Sequence, residues 1–226
     1  MENICQIYRQ AQELENHGIH VVSTDEKTGI QALDRTHPTR PMRPGTPERI
    51  EFEYIRNGTL CLTANFEVAT GRIVSPTIAP TRNEQDFADH IARTIAADPE
   101  AVWIFVTDQL NTHKSESLVR LVANQCGITR DLGVKGKSGV LKSMATRTEF
   151  LKDLAHRIRF VYTPKHTSWL NQVEIWFSIL ARRLLNRACF KSTEELAKRI
   201  VAFIGYFNRT MAKPFKWTYA GRPLRI

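Results

Sequence analysis

Long apolar runs are missing from this sequence. The longest, Ala101 to Val106 and Val201 to Phe207, fall well short of the ~20 residues a helix needs to cross a bilayer. Cysteine is scarce, with four residues at 5, 61, 126 and 189 and no Cys-x-x-Cys pair. That spacing argues against a zinc ribbon or a disulfide framework and fits reduced, mostly buried thiols. His17 and His20 make a His-x-x-His, but no cysteine pair accompanies them and no structural zinc site is expected. The first residues, MENICQIYRQAQELENHG, carry acidic side chains and no apolar h-region, so no signal peptide is expected and the cytoplasm is the default location. Internal repeats and low-complexity tracts are absent too.

What is there is a globular composition. With 226 residues, 42% of them hydrophobic and 24% charged, the chain can bury about 70% of its unfolded surface and needs no staples. That length suits one large domain or two small ones. The net charge of +9 is very uneven. Residues 1–129 hold 12 Lys/Arg against 17 Asp/Glu, whereas residues 130–226 hold 20 against 6. A basic C-terminal half most often meets a polyanion, nucleic acid being the commonest, or else forms a solvated basic face.

The periodicity predicts a helix over 2–16, with Ile4, Ile7, Tyr8, Ala11 and Leu14 on one side and Gly18 as its stop. Ile19 to Thr24 reads as a buried strand ending at Asp25. Prolines at 38, 41, 44 and 47, with arginines between, favour an extended polyproline-type crossing over a ligand for an aromatic groove. Ile50, Phe52 and Tyr54 alternate with glutamates, Asn57-Gly58 signals a hairpin turn, and strands follow over Leu60 to Phe66 and Arg72 to Ile78. Thr81-x-x-Glu84 predicts a capped helix carrying Phe87, Ile91 and Ile95. Ala101 to Thr107 is a second buried strand ending in an aspartate, Asp108. A helix is expected over 115–126 and a basic Gly/Lys/Ser-rich loop over 128–146. Another helix follows over 147–157, then a last strand, Ile158 to Tyr162. A long helix from Ser168 to Asn186 precedes one capped by Ser192 and Glu195. Strands first, then alternating helix and strand, imply a mixed α/β sheet with helices on both faces.

Asp25 and Asp108 thus each stand just past the C-terminal end of a buried strand, the edge of an open α/β sheet where ligands bind. Each alone would suit a turn or a cap equally well. Glu174 lies beside an apolar helical stripe of Leu170, Val173, Phe177, Leu180 and Leu184. A carboxylate there needs a metal, a cationic partner such as Arg182 or Arg183, or a route to solvent. Two strand-end aspartates converging with one helical glutamate would make an all-oxygen site for Mg²⁺ or Mn²⁺. Two such ions support attack on a phosphodiester. Glu26 should point to the opposite face from Asp25 and is not chosen.

The segments STDEKTG (23–29), VTDQLNTHKS (106–115) and YTPKHTSWLNQVEIWFSILARR (162–183) resemble the DDE transposases of bacterial insertion sequences, in the branch related to Tc/mariner elements. The resemblance spans nearly the whole chain. It implies a ribonuclease H-like fold, with three antiparallel and two parallel strands, and metal-dependent cleavage of transposon ends followed by strand transfer. It also implies that Asp25, Asp108 and Glu174 form the catalytic, metal-binding triad for two Mg²⁺ ions, with Mn²⁺ as substitute. Asn111 and His113 match polar positions near that site, either as accessory groups or as loop hydrogen-bonding residues. Lys165, His166, Arg182, Arg183 and Arg187 are the expected contacts to DNA phosphates, or solvated surface charges in the case of Arg182 and Arg183. Trp169 and Trp176, seven apart, are expected on one side of a helix as packing residues.

The implied partners are double-stranded DNA, as transposon end and target, and a second copy of the chain; no membrane partner is expected. The expected location is bacterial cytoplasm at the nucleoid. The organisation reads as an N-terminal helix over 1–18, left from a linker to a DNA-recognition domain, a catalytic domain over 19–210, and a basic aromatic tail over 211–226. A basic insertion over about 128–150 lies among the 65 residues separating Asp108 from Glu174. A ribonuclease H-like nuclease without strand transfer and an inactive DNA-binding fragment are the competing readings.

Overall fold

The buried run at Ile19 does not end at Asp25. In the computed structural model, which describes residues 1–186 and 188–222, it continues as one long strand, β1 (Ile19–Arg35). β2 (Tyr54–Glu67) pairs antiparallel along nearly all of it, from Val22 opposite Glu67 to Arg35 opposite Tyr54. β3 (Arg72–Ala79) adds a third antiparallel strand, while β4 (Val102–Thr107) and β5 (Ile158–Tyr162) run parallel to β1 on its other side. The order is β3-β2-β1-β4-β5, a mixed sheet of the expected kind.

Two local expectations fail for physical reasons. Asn57-Gly58 is no hairpin turn. The residues on both sides of it pair with the extended β1, so the positive φ of Gly58 (108°) serves an irregularity inside β2. The proline segment is not a crossing but a reversal at the β1–β2 end. Its prolines lack donors, and their spacing leaves the N–H groups of Arg40, Arg43, Thr46 and Arg49 free to form bridges across it. Ile50 and Phe52 consequently lie exposed beyond the sheet rather than in a strand.

Alternation along the strands sorts side chains into two layers. One layer packs Val21, Leu62, Phe66, Ile104 and Val106 against α1 (Glu2–Asn16), α5 (Gln172–Leu180) and α6 (Thr193–Thr210). The other packs Val22, Trp103, Phe105 and Phe160 against α2 (Glu84–Ile95), α3 (Glu116–Gln125) and α4 (Met144–Lys152). Four of the helix starts, those of α2, α3, α4 and α6, follow side-chain caps. Asn83, not Thr81, caps α2 by accepting from Gln85 and Asp86, and Ser192 caps α6 by accepting from Glu195.

The tail folds back onto the first layer. Phe215 stacks on Phe66 at 4.6 Å, and Trp217 meets Tyr8 edge-on at 5.1 Å. The backbone passes so close to Gly71 (φ 71°) that a Cβ there would lie 2.0 Å from the Lys213 carbonyl oxygen. All four cysteines are free thiols. Among the described residues no helix is long and apolar enough to cross a membrane.

Candidate active site

The parallel pairing of β1 with β4 ends with Ser23 opposite Val106. Continuing that register by two residues sets Asp25 against Asp108, at the edge where β4 stops and β1 runs on. Asp25 is nearly buried (7% exposed), and Asp108 is half-buried just past Thr107. Burial, then the neighbouring charge of Asp108, push the Asp25 carboxyl up from its ordinary 3.8 to about 7. Asp108 moves the other way. Its burial alone would raise it, but hydrogen bonds from His113 and the Leu110 N–H (2.8 Å), with the His113 charge, hold it below the usual range.

The expected helix from Ser168 is broken. Ser168–Leu170 make one 3₁₀ turn, Asn171 interrupts it, and α5 starts at Gln172, placing Glu174 in its first turn. The cause lies in side chains that tie this turn to β1. Asn171 donates through Nδ2 to the Thr24 carbonyl (3.1 Å) and to Asp25 Oδ2 (3.0 Å), while its Oδ1 accepts from the Ser23 hydroxyl. Ser23 Oγ in turn accepts the Val173 N–H (2.9 Å), one of the orphan donors at the helix start. Tyr8 of α1 fixes the 3₁₀ turn by donating to the Leu170 carbonyl at 2.9 Å. The break also separates the two tryptophans. Trp176 is fully buried in the core, whereas Trp169 is 50% exposed and meets Tyr219 of the tail.

Glu174, half-buried in the first turn of α5, lies within the field of Asp108. Burial raises its carboxyl, Lys27 of β1 lowers it, and Asp108 raises it again. No described cation comes within ion-pairing distance (4.0 Å) of Glu174, so Arg182 and Arg183 do not neutralise it. They lie exposed beyond α5, in a π-helical turn (Ala181–Leu185), beside Ile179 and Met211. Lys165 and His166 are exposed between β5 and the 3₁₀ turn, with His166 at φ 62°. Asn111 is exposed at the start of the 3₁₀ turn Asn111–Lys114, away from hydrogen-bonding contact with the carboxylates. Arg187 lies outside the described residues.

His113 is fully buried, and it joins two carboxylates from opposite layers. Its Nδ1 lies 2.7 Å from Asp108 Oδ1 and its Nε2 lies 2.9 Å from Glu26 Oε2. Burial would lower its pKa, but the hydrogen bonds to Asp108 and Glu26 outweigh that and raise it from 6.5 to about 9. That direction favours the imidazolium, with Nε2 against Glu26 and Nδ1 against both Asp108 and the Thr107 hydroxyl (2.9 Å). Phe87 packs on its ring at 4.2 Å, and the Arg82 guanidinium adds a second cation 3.7 Å from Glu26. Glu26 follows Asp25 in β1 and is expected on the opposite face, yet its carboxylate belongs to the site through His113 and comes within 4.8 Å of Asp25. Only the buried Asp-Glu pair in β1 hinted at it.

The oxygen and nitrogen atoms of Asp25, Glu26 and His113 gather within 4.8 Å of one another. Both ring nitrogens of His113 are already turned to protein oxygens, Nε2 to Glu26 and Nδ1 to Asp108 and the Thr107 hydroxyl. Among the described residues the oxygens of Asp25, Asp108 and Glu174 do not gather that tightly; together they would offer an all-oxygen set of the kind that suits a hard cation such as Mg²⁺ or Mn²⁺. A cation shared by Asp25 and Asp108 would also relieve the mutual repulsion that, after burial, raises the Asp25 carboxyl.

The DDE superfamily endonuclease family matches residues 20–197 of this chain. Among curated proteins none matches it. Among solved structures, the Mos1 transposase paired-end complex with left transposon end superposes with a TM-score of 0.56 at 13% identity, over 90% of this chain and 53% of that one. The Mos1 mariner paired-end complex with Mn gives 0.54 at 13% identity, again over 90% and 53%. The catalytic domain of Mos1 mariner transposase gives 0.52 at 11% identity, over 90% of this chain and 78% of that one. The chain thus spans about half the length of the longer Mos1 chains. At such identities the likeness shows a shared fold, the ribonuclease H-like fold. With its family matched from β1 into α6, the chain belongs to the DDE superfamily endonucleases.

Proposed function

We propose that this chain is the catalytic domain of a cut-and-paste DNA transposase that uses Asp25, Asp108 and Glu174 as its catalytic carboxylates. The observation that supports this most is the Asp25–Asp108 pair, two carboxylates set level by the β1–β4 register at the sheet edge, the first lifted to about 7 by burial and then by the other. The three side chains would hold two Mg²⁺ or Mn²⁺ ions, which when bound lower the pKa of an attacking water or hydroxyl and stabilise the leaving oxygen. Asn171 keeps Asp25 aimed at the site, and His113 fixes the Asp108 carboxylate by its Oδ1. Lys27 offsets part of the charge at Glu174.

In the first step water attacks a phosphorus at the element end. The P–O3′ bond breaks, leaving a 3′-hydroxyl and a 5′-phosphate. In the second, that 3′-hydroxyl attacks a target phosphodiester, forming one P–O bond and breaking another, so no high-energy cofactor is consumed. The substrate is double-stranded DNA. The exposed Lys165, His166, Arg182 and Arg183 act through its phosphates, and two copies of the chain handle the two ends together.

The test is cleavage and joining with a labelled duplex carrying the element's end, in Mg²⁺ and in Mn²⁺. The wild-type chain is expected to nick the duplex and to join a supplied 3′-hydroxyl end to a second DNA. Asp108→Asn, still folded, is expected to do neither. Nicking without joining would indicate a nuclease, and an Asp108→Asn protein as active as wild type would overturn the carboxylate assignment.

A further inference from the structure

The two flanks of Asp108 differ in charge. Toward β1 lie Asp25 and Glu174; toward β5 lie amines. Lys114 ends the 3₁₀ turn that follows Asp108 and is only 8% exposed. Its ammonium stands 4.7 Å from the centroid of the Tyr162 ring, and that of Lys152, from α4, stands 5.7 Å from the same ring. Burial, then the charge of Lys152, and also that of Lys165, press the Lys114 amine below its ordinary range, against the pull of Asp108. Among the described residues none of these three amines has a carboxylate within 4.0 Å.

The cluster is held in place from several sides. The Lys114 ammonium donates to Gln109 Oε1 (3.2 Å), whose amide is turned that way by donating to the Thr163 carbonyl (2.9 Å). The Tyr162 hydroxyl donates to the His113 carbonyl (2.8 Å), locking the ring under the turn. Arg147, itself buried, donates through Nε to the Lys114 carbonyl (2.7 Å) and brings a further positive charge. Gathering cations in a partly desolvated place is unfavourable, and sharing one aromatic ring offsets only part of that cost. An anion accepting from Lys114 and Lys152 together relieves the repulsion and the lost hydration at once.

We propose that Lys114 and Lys152 form a phosphate clamp that takes a backbone phosphate of the DNA strand next to the scissile one, with Lys114 as a positioning residue for cleavage. This rests on the reading of the chain as a DNA-cleaving domain. The order β1-β4-β5 supplies the direction, because a strand that crosses the carboxylates from β1 toward β5 arrives at these lysines. The helix α4 thereby gains a role, since it delivers both Arg147, from the basic insertion, which braces the turn, and Lys152, just past it, which contacts the phosphate.

The test is the salt dependence of duplex binding, by fluorescence anisotropy with Ca²⁺ as the divalent ion, for the wild-type chain, Lys114→Met, Lys152→Met and the double variant. Lys152 is exposed, so its variant folds whatever becomes of Lys114. One phosphate contact contributes about 0.9 to the slope of log K against log salt. Weaker binding is expected in each single variant. A slope shallower by about 0.9 is expected in the double variant, and cleavage turnover about tenfold lower in Lys114→Met with Mn²⁺ affinity unchanged. Slopes and affinities equal to wild type in Lys152→Met and the double variant overturn the clamp and leave the cleavage reading standing. A wild-type chain that fails to bind duplex overturns both.

Discussion

Asp25→Asn should make the metal-free protein more stable at alkaline pH while removing its activity. The Asp25 carboxyl is raised from 3.8 to about 7 in the folded state, by burial first and by Asp108 second. A raised acid stabilises the folded state fully only below its unfolded value, and that stabilisation is lost as pH rises through the folded one. Above pH 7 the ionised side chain therefore opposes folding by ~4 kcal/mol. Asparagine removes this, but its amide would face the Asn171 amide that now donates to Asp25 Oδ2, costing about 1–2 kcal/mol. The net gain at pH 8 is ~2–3 kcal/mol, which for a chain of this size raises Tm by roughly 5–10 °C. At pH 5 the two effects nearly cancel and the gain vanishes. Thermal unfolding in EDTA at both pH values measures it. An Asp25→Asn protein less stable than wild type at pH 8 would falsify the claim that this carboxylate is held against its preference.

Three further outcomes follow from neighbouring contacts. Glu26→Gln leaves the buried His113 imidazolium with Asp108 as its one close anion and should cost about 2 kcal/mol near neutrality. Because His113 is raised from 6.5 to about 9, the wild type should also lose stability as pH rises from 6.5 through 9, and this variant should flatten that loss; chemical denaturation across the range reads it. Asn171→Ala removes the donors to Thr24 and Asp25. It should lower stability by ~2 kcal/mol and cleavage turnover about tenfold, and unchanged turnover would exclude a positioning role. Gly71→Ala must displace the tail backbone at Lys213. Proteolysis should then cut the tail faster, with Tm lower by several degrees.

What the sequence made legible is what local pattern carries. Each aspartate follows a continuous apolar run, and the parallel register of the two runs brings the aspartates to the same level, although β1 continues past Asp25 to Arg35. Glu174 was legible because an apolar stripe at helical spacing fixed its side of α5, though not the helix start. That start depends on Asn171, whose side chain bonds to residues 146 to 148 positions away, a distance no window of periodicity spans. The same holds for Glu26, joined to His113 across 87 positions. Asn57-Gly58 misled because a turn signal says that glycine takes a positive φ, not whether its flanks pair with each other or with a third strand. The proline segment misled in the same way: its spacing specifies which N–H groups remain, and the partner strands decide where they bond.

Whether Asp25, Asp108 and Glu174 together hold divalent cations is tested most directly by Mn²⁺ titration followed by electron paramagnetic resonance. The wild-type chain at pH 8 should deplete the free Mn²⁺ signal, more strongly with a short duplex present, and Asp108→Asn should abolish the depletion in both cases. Depletion of equal strength in folded wild type and Asp108→Asn, or none in wild type even with duplex, would contradict a metal site built on these three carboxylates.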